Sequence, residues 1–169
     1  MRYSMKMVAV LILLSSLSCD SSPQGGASMP DPALAQSPIQ RADQLSDKAA
    51  KAYQEGNKQE GHRLTQEALT AYQAALKAAP DDGEILLCIG AQHFNIGNAS
   101  EGISCYEKAI HILERQGKKE PLTQARINLA GALFTVGKKK EAIGVCDIVL
   151  ASDPKNQAVL QIKQACTAP

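Results

Sequence analysis

The sequence predicts an all-α fold built from consecutive helical hairpins, and three observations support this prediction. Apolar and small residues recur at spacings of three and four, which is the period of one helix face. The pattern returns after 34 and then after 40 residues, which indicates a repeat architecture. The chain has no Trp, two Phe and only 4% aromatic residues. Its core must therefore come from small and aliphatic side chains on closely packed helices.

The clearest unit is the stretch 86–109, in which two amphipathic helix patterns flank a turn at Gly97. Small residues at Gly90 and Gly102 would let two antiparallel helices approach closely, and Tyr106 would fill the space beside them. Such a hairpin cannot bury its apolar faces alone. We therefore expect neighbouring hairpins to stack on it.

The second-helix pattern of this unit recurs on both sides of it. Its members are mostly small or aromatic, and they lie at Ala68, Tyr72 and Ala75, at Gly102, Tyr106 and Ala109, and at Ala142, Cys146 and Val149. Pro80 and Pro154 follow a second helix at the same phase, where proline would end it. The sequence thus predicts three hairpins.

These positions resemble the signature of the tetratricopeptide repeat family. The matching residues are Ile89, Gly90, Gly97, Gly102, Tyr106 and Ala109 in the middle unit, and Leu129, Ala130, Leu133, Gly137, Ala142 and Pro154 in the third. The third unit departs from the family pattern at Arg126 and Cys146. The resemblance covers roughly 41–167. It implies a tetratricopeptide-like α-solenoid of three helical hairpins plus a C-terminal capping helix, in a short right-handed superhelix.

The predicted repeat domain spans 41–169. Its hairpins are expected at about 41–79, 83–116 and 121–152, and its capping helix at 155–166. In the first hairpin the spacing from Tyr53 to Ala68 is six residues longer than in the family. Two explanations are open: the loop around 56–61 is enlarged, or the second helix starts early, near Lys58.

The N-terminus has the composition of an export signal. Residues 1–18 combine Arg2 and Lys6 with an apolar run too short to span a bilayer as a helix. Cys19 follows directly and resembles the lipid-modified cysteine that begins a mature bacterial lipoprotein. Plain secretion and an uncleaved anchor are the alternatives. The segment 19–40 is rich in Ser, Gly and Pro and is predicted to be a tether.

Charge and motifs argue against several functional classes. The chain has a net charge of +1, and removing 1–18 leaves 16 basic and 17 acidic residues. That balance predicts neither nucleic-acid binding nor a basic face for acidic lipids. The chain lacks a phosphate loop, a nucleophile elbow and a metal-spaced histidine pair. We expect no enzymatic activity, no cofactor, no metal and no small-molecule substrate.

The resemblance also implies a binding groove, because first helices of such repeats line a concave surface that holds peptides or partner helices. The positions that match this surface are Leu87, Ala91, Phe94 and Asn95 in the middle unit, and Ile127, Gly131, Phe134 and Thr135 in the third. We hypothesise an apolar peptide-binding groove built on Leu87, Phe94, Ile127 and Phe134. The alternative is that these side chains pack between helices as ordinary core.

Some members of the family hold a partner's terminal carboxylate in a charged clamp. The matching positions here are Asp47, Lys51, Cys88, Gln124 and Asn128. Only Lys51 and Asn128 suit that role, since Asp47 has the wrong sign and Cys88 carries no charge. This binding mode is therefore not expected.

Four cysteines follow Cys19, and an exported chain meets oxidising conditions that favour disulfides. Cys146 and Cys166 lie on consecutive antiparallel helices at heights that could match, so they are the preferred disulfide candidate. Cys88 with Cys105 is a second possible pair. The alternative is that all four are small buried hydrophobic residues.

The sequence therefore predicts a non-enzymatic, exported scaffold or adaptor that is anchored to a membrane through lipid on Cys19. It would face the periplasm or the exterior of a bacterial cell and bind another envelope protein or peptide through its groove. The alternative is a structural module of the same repeat class that associates with itself, secreted or periplasmic without lipid.

Overall fold

A computed structural model describes residues 37–168, which form seven helices and no strand. The helices are α1 Pro38–Gln54, α2 Lys58–Ala78, α3 Gly83–Asn95, α4 Ala99–Gln116, α5 Lys119–Thr135, α6 Lys139–Ser152 and α7 Gln157–Thr167. The predicted signal, Cys19 and nearly all of the predicted tether lie outside the described residues. None of the described helices is both long enough and apolar enough to cross a membrane.

The observed helix bounds decide between the two explanations for the first hairpin. They also differ from two of the predicted helix starts. Helix α2 begins at Lys58, so the extra residues of the first hairpin lengthen the helix and not the loop. Helix α1 begins at Pro38, ahead of the expected 41, because Ser37 and Gln40 form a capping box in which each side chain accepts the other's backbone N–H. The C-terminal helix begins at Gln157 and not at 155, after the cap residue Asn156.

The chain divides into two compact units, Met1–Ala75 and Leu76–Pro169. In the first unit, Ala49, Ala52 and Leu64 form a small buried cluster with Leu45 at its edge. The extra turn at the start of α2 packs on α1 through Gly61. A Cβ on that glycine would lie 2.8 Å from the ring of Tyr53. Only a glycine leaves room for the ring there.

A partly buried polar contact also joins the two helices of the first unit. The Tyr72 hydroxyl donates a hydrogen bond of 2.6 Å to Oδ1 of Asp43. Partial burial raises the pKa of the Asp43 carboxyl, and the hydrogen bond from Tyr72 opposes that rise. The contact fixes the second half of α2 against the start of α1.

The second unit contains the hairpins α3–α4 and α5–α6, followed by α7. Each helix packs on the next, α3 also contacts α5, and α7 contacts both α5 and α6. The core is mainly aliphatic, as the composition predicts; the exceptions are Tyr106, Cys146, Cys166 and the polar Gln92. Its largest fully buried side chains include Leu113, Val159 and Cys146.

The predicted close approach inside the middle hairpin is confirmed. A Cβ on Gly90 would lie 2.7 Å from ring atoms of Tyr106, whose side chain is buried. A Cβ on Gly102 would lie 3.0 Å from the carbonyl oxygen of Gly90. The two helices therefore touch backbone to backbone, with the tyrosine ring lying over the glycine.

Three hairpin turns and one linker end in the same way. Gly56, Gly97, Gly117 and Gly137 have φ of 80°, 87°, 67° and 83°, in the left-handed region. At Gly97 the glycine N–H donates to the Phe94 carbonyl, and the next N–H donates to the His93 carbonyl, at 3.0 and 2.9 Å. This is the Schellman pattern, which satisfies carbonyl groups at the end of a helix. The predicted turn at Gly97 is thus confirmed.

Candidate peptide-binding surface

Helix α3 keeps one face partly open to solvent. Glu84, Cys88, Ala91 and Asn95 are half-buried and lie at spacings of four, three and four. That spacing places them on one stripe along the helix. Most of the remaining α3 residues are buried, so the stripe is the accessible side of this helix within the second unit.

Helix α5 repeats the arrangement 40 residues later. Gln124, Ile127 and Asn128 are half-buried and Thr135 is exposed, whereas Gly131 between them is buried. Because α3 and α5 are in contact and their positions match one for one, the two stripes are neighbours. We call this region the α3–α5 surface; it comprises Cys88, Ala91, Phe94, Asn95, Gln124, Ile127, Asn128, Phe134 and Thr135.

The two phenylalanines occupy equivalent places in their helices. Each lies three residues before a turn glycine, and the carbonyl oxygen of each accepts that glycine's N–H at 3.0 Å. Both side chains are half-buried. The base of Phe94 packs on α4, because its Cβ would lie 3.5 Å from a Cβ on Gly102. Each phenylalanine is thus partly packed and partly available for contact.

The structure divides the eight predicted groove residues into two groups. Leu87 and Gly131 are buried and contribute to the core. The other six reach solvent to different degrees, and Thr135 also donates its hydroxyl to the Gly131 carbonyl at 2.9 Å. A floor that includes Leu87 is therefore less accessible than the sequence suggested. Whether the six bind a peptide stays a prediction.

The α3–α5 surface is uncharged at neutral pH. Glu84, at the start of the same α3 stripe, pairs with Lys118 at 2.6 Å, and Arg126 on α5 pairs with Glu114 at 2.5 Å. Gln124 donates to Oδ1 of Asn128 at 2.8 Å. The side-chain NH₂ of Asn128 and the side-chain oxygen of Gln124 can then bond to a peptide group. The surface offers apolar contact and amide hydrogen bonds.

Sequence reasoning missed a second concave feature, an open hollow of about 510 Å³ in the second unit. It is lined by Pro80, Leu86, Glu107, Lys108, His111 and Ile112. Leu86 lies two residues from Glu84 and Cys88, so it faces away from the α3 stripe. Leu86 and Ile112 lie at positions that helical periodicity does not distinguish from core residues.

The second unit also contains a buried histidine nitrogen and several free thiols. Nδ1 of His93 is buried and has no hydrogen-bond partner among residues 37–168. In the same range no three His, Cys, Asp or Glu residues converge on a possible metal site. Cys105, Cys146 and Cys166 are free thiols. Burial raises the pKa of Cys105, and burial together with the nearby Cys166 raises the pKa of Cys146 to about 11.

Solved structures share this fold. The first tetratricopeptide repeat domain of Spaghetti (RPAP3), bound to the HSP90 peptide SRMEEVD, matches with a TM-score of 0.57 and 20% identity, over 76% of this chain and 94% of that chain. The second such domain of human RPAP3, in complex with the HSP70 peptide SGPTIEEVD, matches with a TM-score of 0.57 and 17% identity. The match covers 78% of this chain and 99% of that chain. No protein-family profile and no curated sequence matches. The predicted all-α tetratricopeptide repeat fold is thus confirmed.

Proposed function

We propose that this chain, which has the tetratricopeptide repeat fold, is a non-enzymatic scaffold that binds a peptide segment of another protein on its α3–α5 surface. One observation carries the proposal. Two contacting helices present matched, half-open stripes, each with a phenylalanine at the same distance from its turn. Partly packed aromatic side chains beside small residues can anchor an apolar side chain at low entropic cost.

The charge of this surface defines the class of partner. The peptides named with the two similar structures carry two glutamates and a terminal aspartate. The α3–α5 surface has no cationic side chain to hold such acids, and Cys88 and Gln124 stand where a clamp would need positive charge. The segment bound here is therefore uncharged and apolar, with its backbone hydrogen-bonded to Gln124 and Asn128.

Random peptides displayed on phage test this proposal, because the selection itself identifies the preferred sequence. The full chain is used to select from a library of short random peptides. We expect enrichment of segments with apolar anchors and depletion of Asp and Glu. Replacing Ala91 by Arg puts a long charged side chain in the middle of the surface without removing core atoms. This substitution should lower the affinity for the selected peptides by roughly tenfold or more.

Ala74→Arg is the matched control, because it makes the same change at an exposed position of α2. It should leave peptide affinity unchanged. A Phe94→Ala and Phe134→Ala double variant adds the test of the anchors, with thermal unfolding measured in parallel. If Ala91→Arg binds as well as the control, or only acidic peptides are selected, the proposed surface is wrong. If the double variant loses affinity only as far as it unfolds, the phenylalanines are core residues.

The proposal extends to export and lipid anchoring, for which the N-terminal sequence is the support. Residues 1–18 have a basic start, an apolar run and small residues before Cys19. The chain would be an envelope adaptor, held at a membrane by lipid on Cys19 and facing the periplasm or exterior. Expression in a bacterium with a clickable palmitate analogue tests this. We expect label on the wild type and none on Cys19→Ser. A cleaved but unlabelled wild type would favour plain secretion.

Self-association is a second candidate, because apolar side chains are exposed on the last two helices. Ile148 on α6 is 53% exposed and Leu160 on α7 is 39% exposed. Light scattering of the full chain separates the two functions. A monomer supports the adaptor, whereas a concentration-dependent dimer that Ile148→Ala and Leu160→Ala abolish supports the self-associating module.

A further inference from the structure

Two buried cysteines face the same contact between the last two helices. The buried side of α6 carries Ala142, Cys146 and Val149, and that of α7 carries Val159, Ile162 and Cys166. Cys146 is fully buried and Cys166 is 6% exposed. Since α7 contacts both α5 and α6, its buried stripe lies against the hairpin that contains Cys146.

Two polar contacts fix how the antiparallel helices are aligned. At one end, Nζ of Lys139 donates to the carbonyl of Ala168 at 3.4 Å. Near the middle of both helices, Nζ of Lys163 lies 2.5 Å from Oδ1 of Asp147. Residues 139–147 of α6 therefore run alongside 163–168, the second half of α7 and its C-cap. Cys146 and Cys166 both lie within this aligned segment.

The two thiols also influence each other electrostatically. The pKa of Cys146 is raised to about 11 by burial and, next in size, by the charge that Cys166 would carry. Burial raises the pKa of Cys166 as well. A direct electrostatic influence of one thiol on the other agrees with the alignment, which places both within the same stretch of the α6–α7 contact. At neutral pH both are protonated and unreactive while the helices stay packed.

We propose that Cys146 and Cys166 form a reversible disulfide that fastens α7 to the α5–α6 hairpin. The oxidant is a small disulfide such as oxidised glutathione. One thiolate attacks it, forming a mixed disulfide and releasing one small thiol. The second thiolate then attacks the mixed disulfide, forming the protein S–S bond and releasing the other small thiol. Two protein thiols are oxidised, one small disulfide is reduced, and the thiol protons pass through solvent.

The burial of both sulfurs sets the rate of this reaction. A small disulfide reaches them only when α7, the last and shortest described helix, lifts from the hairpin. Oxidation is therefore slow in the packed state and becomes faster when α7 opens. Once formed, the bond closes a loop of about 20 residues and removes that opening.

The experiment uses the full chain with Cys19, Cys88 and Cys105 replaced by Ala, so that only the two thiols remain. It is equilibrated with oxidised and reduced glutathione at pH 8, in low urea so that α7 opens during the incubation. We expect the intact mass to fall by two hydrogens without a glutathione adduct. The thermal midpoint should rise by roughly 5–10 °C and return on reduction.

Two control chains make the result specific. In the first, Cys166→Ala with Ala165→Cys moves the thiol by one residue and turns it away from the buried stripe. In the second, Cys88 and Cys105 are kept while Cys19, Cys146 and Cys166 become Ala. Both of these thiols are half-buried, so glutathione reaches them without the lifting of a helix, and this chain should react at the same rate with and without urea. Adducts or unreacted thiols in the Cys146–Cys166 chain, or equal cross-linking in the shifted chain, would overturn the proposal.

Discussion

The hairpins α3–α4 and α5–α6 have the same layout but fill the space between their helices differently. In the first, a buried Tyr106 lies over Gly90, with Gly102 against the backbone of α3. In the second, the matching positions hold Cys146, Ala130 and Ala142, all buried. The α3–α4 hairpin thus places a large side chain opposite a glycine. The α5–α6 hairpin places a small side chain opposite an alanine.

This difference shows that the repeat conserves the volume of a contact and not the identity of its residues. The aromatic ring needs a glycine facing it, because even one methyl group there would overlap the ring. The thiol of Cys146 leaves room for the methyl group of Ala130. Packed interiors tolerate substitutions that keep total volume and penalise those that change it.

The largest effects on stability should come from giving one hairpin the packing residues of the other. Tyr106→Cys leaves a cavity beside Gly90 and should lower the free energy of unfolding by about 3–4 kcal/mol. Gly90→Ala overlaps the ring and should cost about 1–3 kcal/mol. The double variant recreates the pair found in α5–α6. Its loss should be smaller than the sum of the single losses by about 1 kcal/mol or more, measured by urea unfolding.

A reciprocal variant checks the same principle in the other hairpin. Cys146→Tyr adds a ring opposite Ala130 and should be strongly destabilising, and Ala130→Gly added to it should recover part of the loss. Strictly additive losses in both hairpins would contradict the volume argument.

The starts of the helices in α3–α4 offer a smaller contrast. Asp82 accepts hydrogen bonds from the N–H groups of Glu84 and Ile85 at 2.9 and 3.1 Å, as a helix N-cap does. Asn98, the N-cap of α4, makes no such side-chain bond. Asp82→Ala should lower the free energy of unfolding by about 1 kcal/mol, and Asn98→Ala should lower it by only a few tenths of a kcal/mol. Equal costs in thermal unfolding would show that Asp82 does not act as a cap.

High pH should weaken the packing around the buried Cys146 thiol. Burial raises the pKa of Cys146 from 9.0 to about 11, with Cys166 adding to the rise. The folded thiol keeps its proton where the unfolded one loses it, so this contribution is complete below pH 9 and is lost between pH 9 and 11. Burial also raises the pKa of Tyr106 from 10.0, so its loss begins only above pH 10.

The measurement is urea unfolding at pH 8 and pH 10 under reducing conditions. The wild type should lose up to about 1 kcal/mol more between these pH values than Cys146→Ala does. Parallel losses in the two proteins would show that the Cys146 thiol does not ionise differently on unfolding.

The smallest expected effect is a gain in stability from replacing a glycine that packs against no other residue. Gly144 lies inside α6, is exposed, and a Cβ on it would meet no atom within 4 Å. Gly144→Ala should stabilise the protein by about 0.5–1 kcal/mol through helix propensity alone. The same change at Gly90 destabilises, so the pair isolates packing from propensity. A lower thermal midpoint for Gly144→Ala than for the wild type would contradict this prediction.

Much of the fold follows from local chemistry in the sequence. The turn glycine at 97, the prolines at 80 and 154 and the three-and-four spacing placed most helix bounds within a few residues. The early start of α2 was left open, because it depends on Gly61 fitting under Tyr53, a contact between residues on two helices. The Tyr72–Asp43 hydrogen bond was missed for the same reason.

The candidate site was less predictable than the fold. Helical phase identified the accessible stripes, but it could not show that Leu87 is covered while Ile127 is half-open. That difference depends on how neighbouring helices shield each position, which periodicity within one helix does not contain. The lack of charge on the α3–α5 surface could be read from the residues themselves.

The glycine-ended turns have a consequence for synthesis of the protein. Gly56, Gly97 and Gly137 each pair two helices that are adjacent in the chain, so a hairpin needs no distant segment to form. Such low contact order favours fast folding. Each hairpin is able to assemble as it leaves the ribosome, in chain order. Among the described helices, α7 docks last, because the side of α5–α6 that it covers must form first.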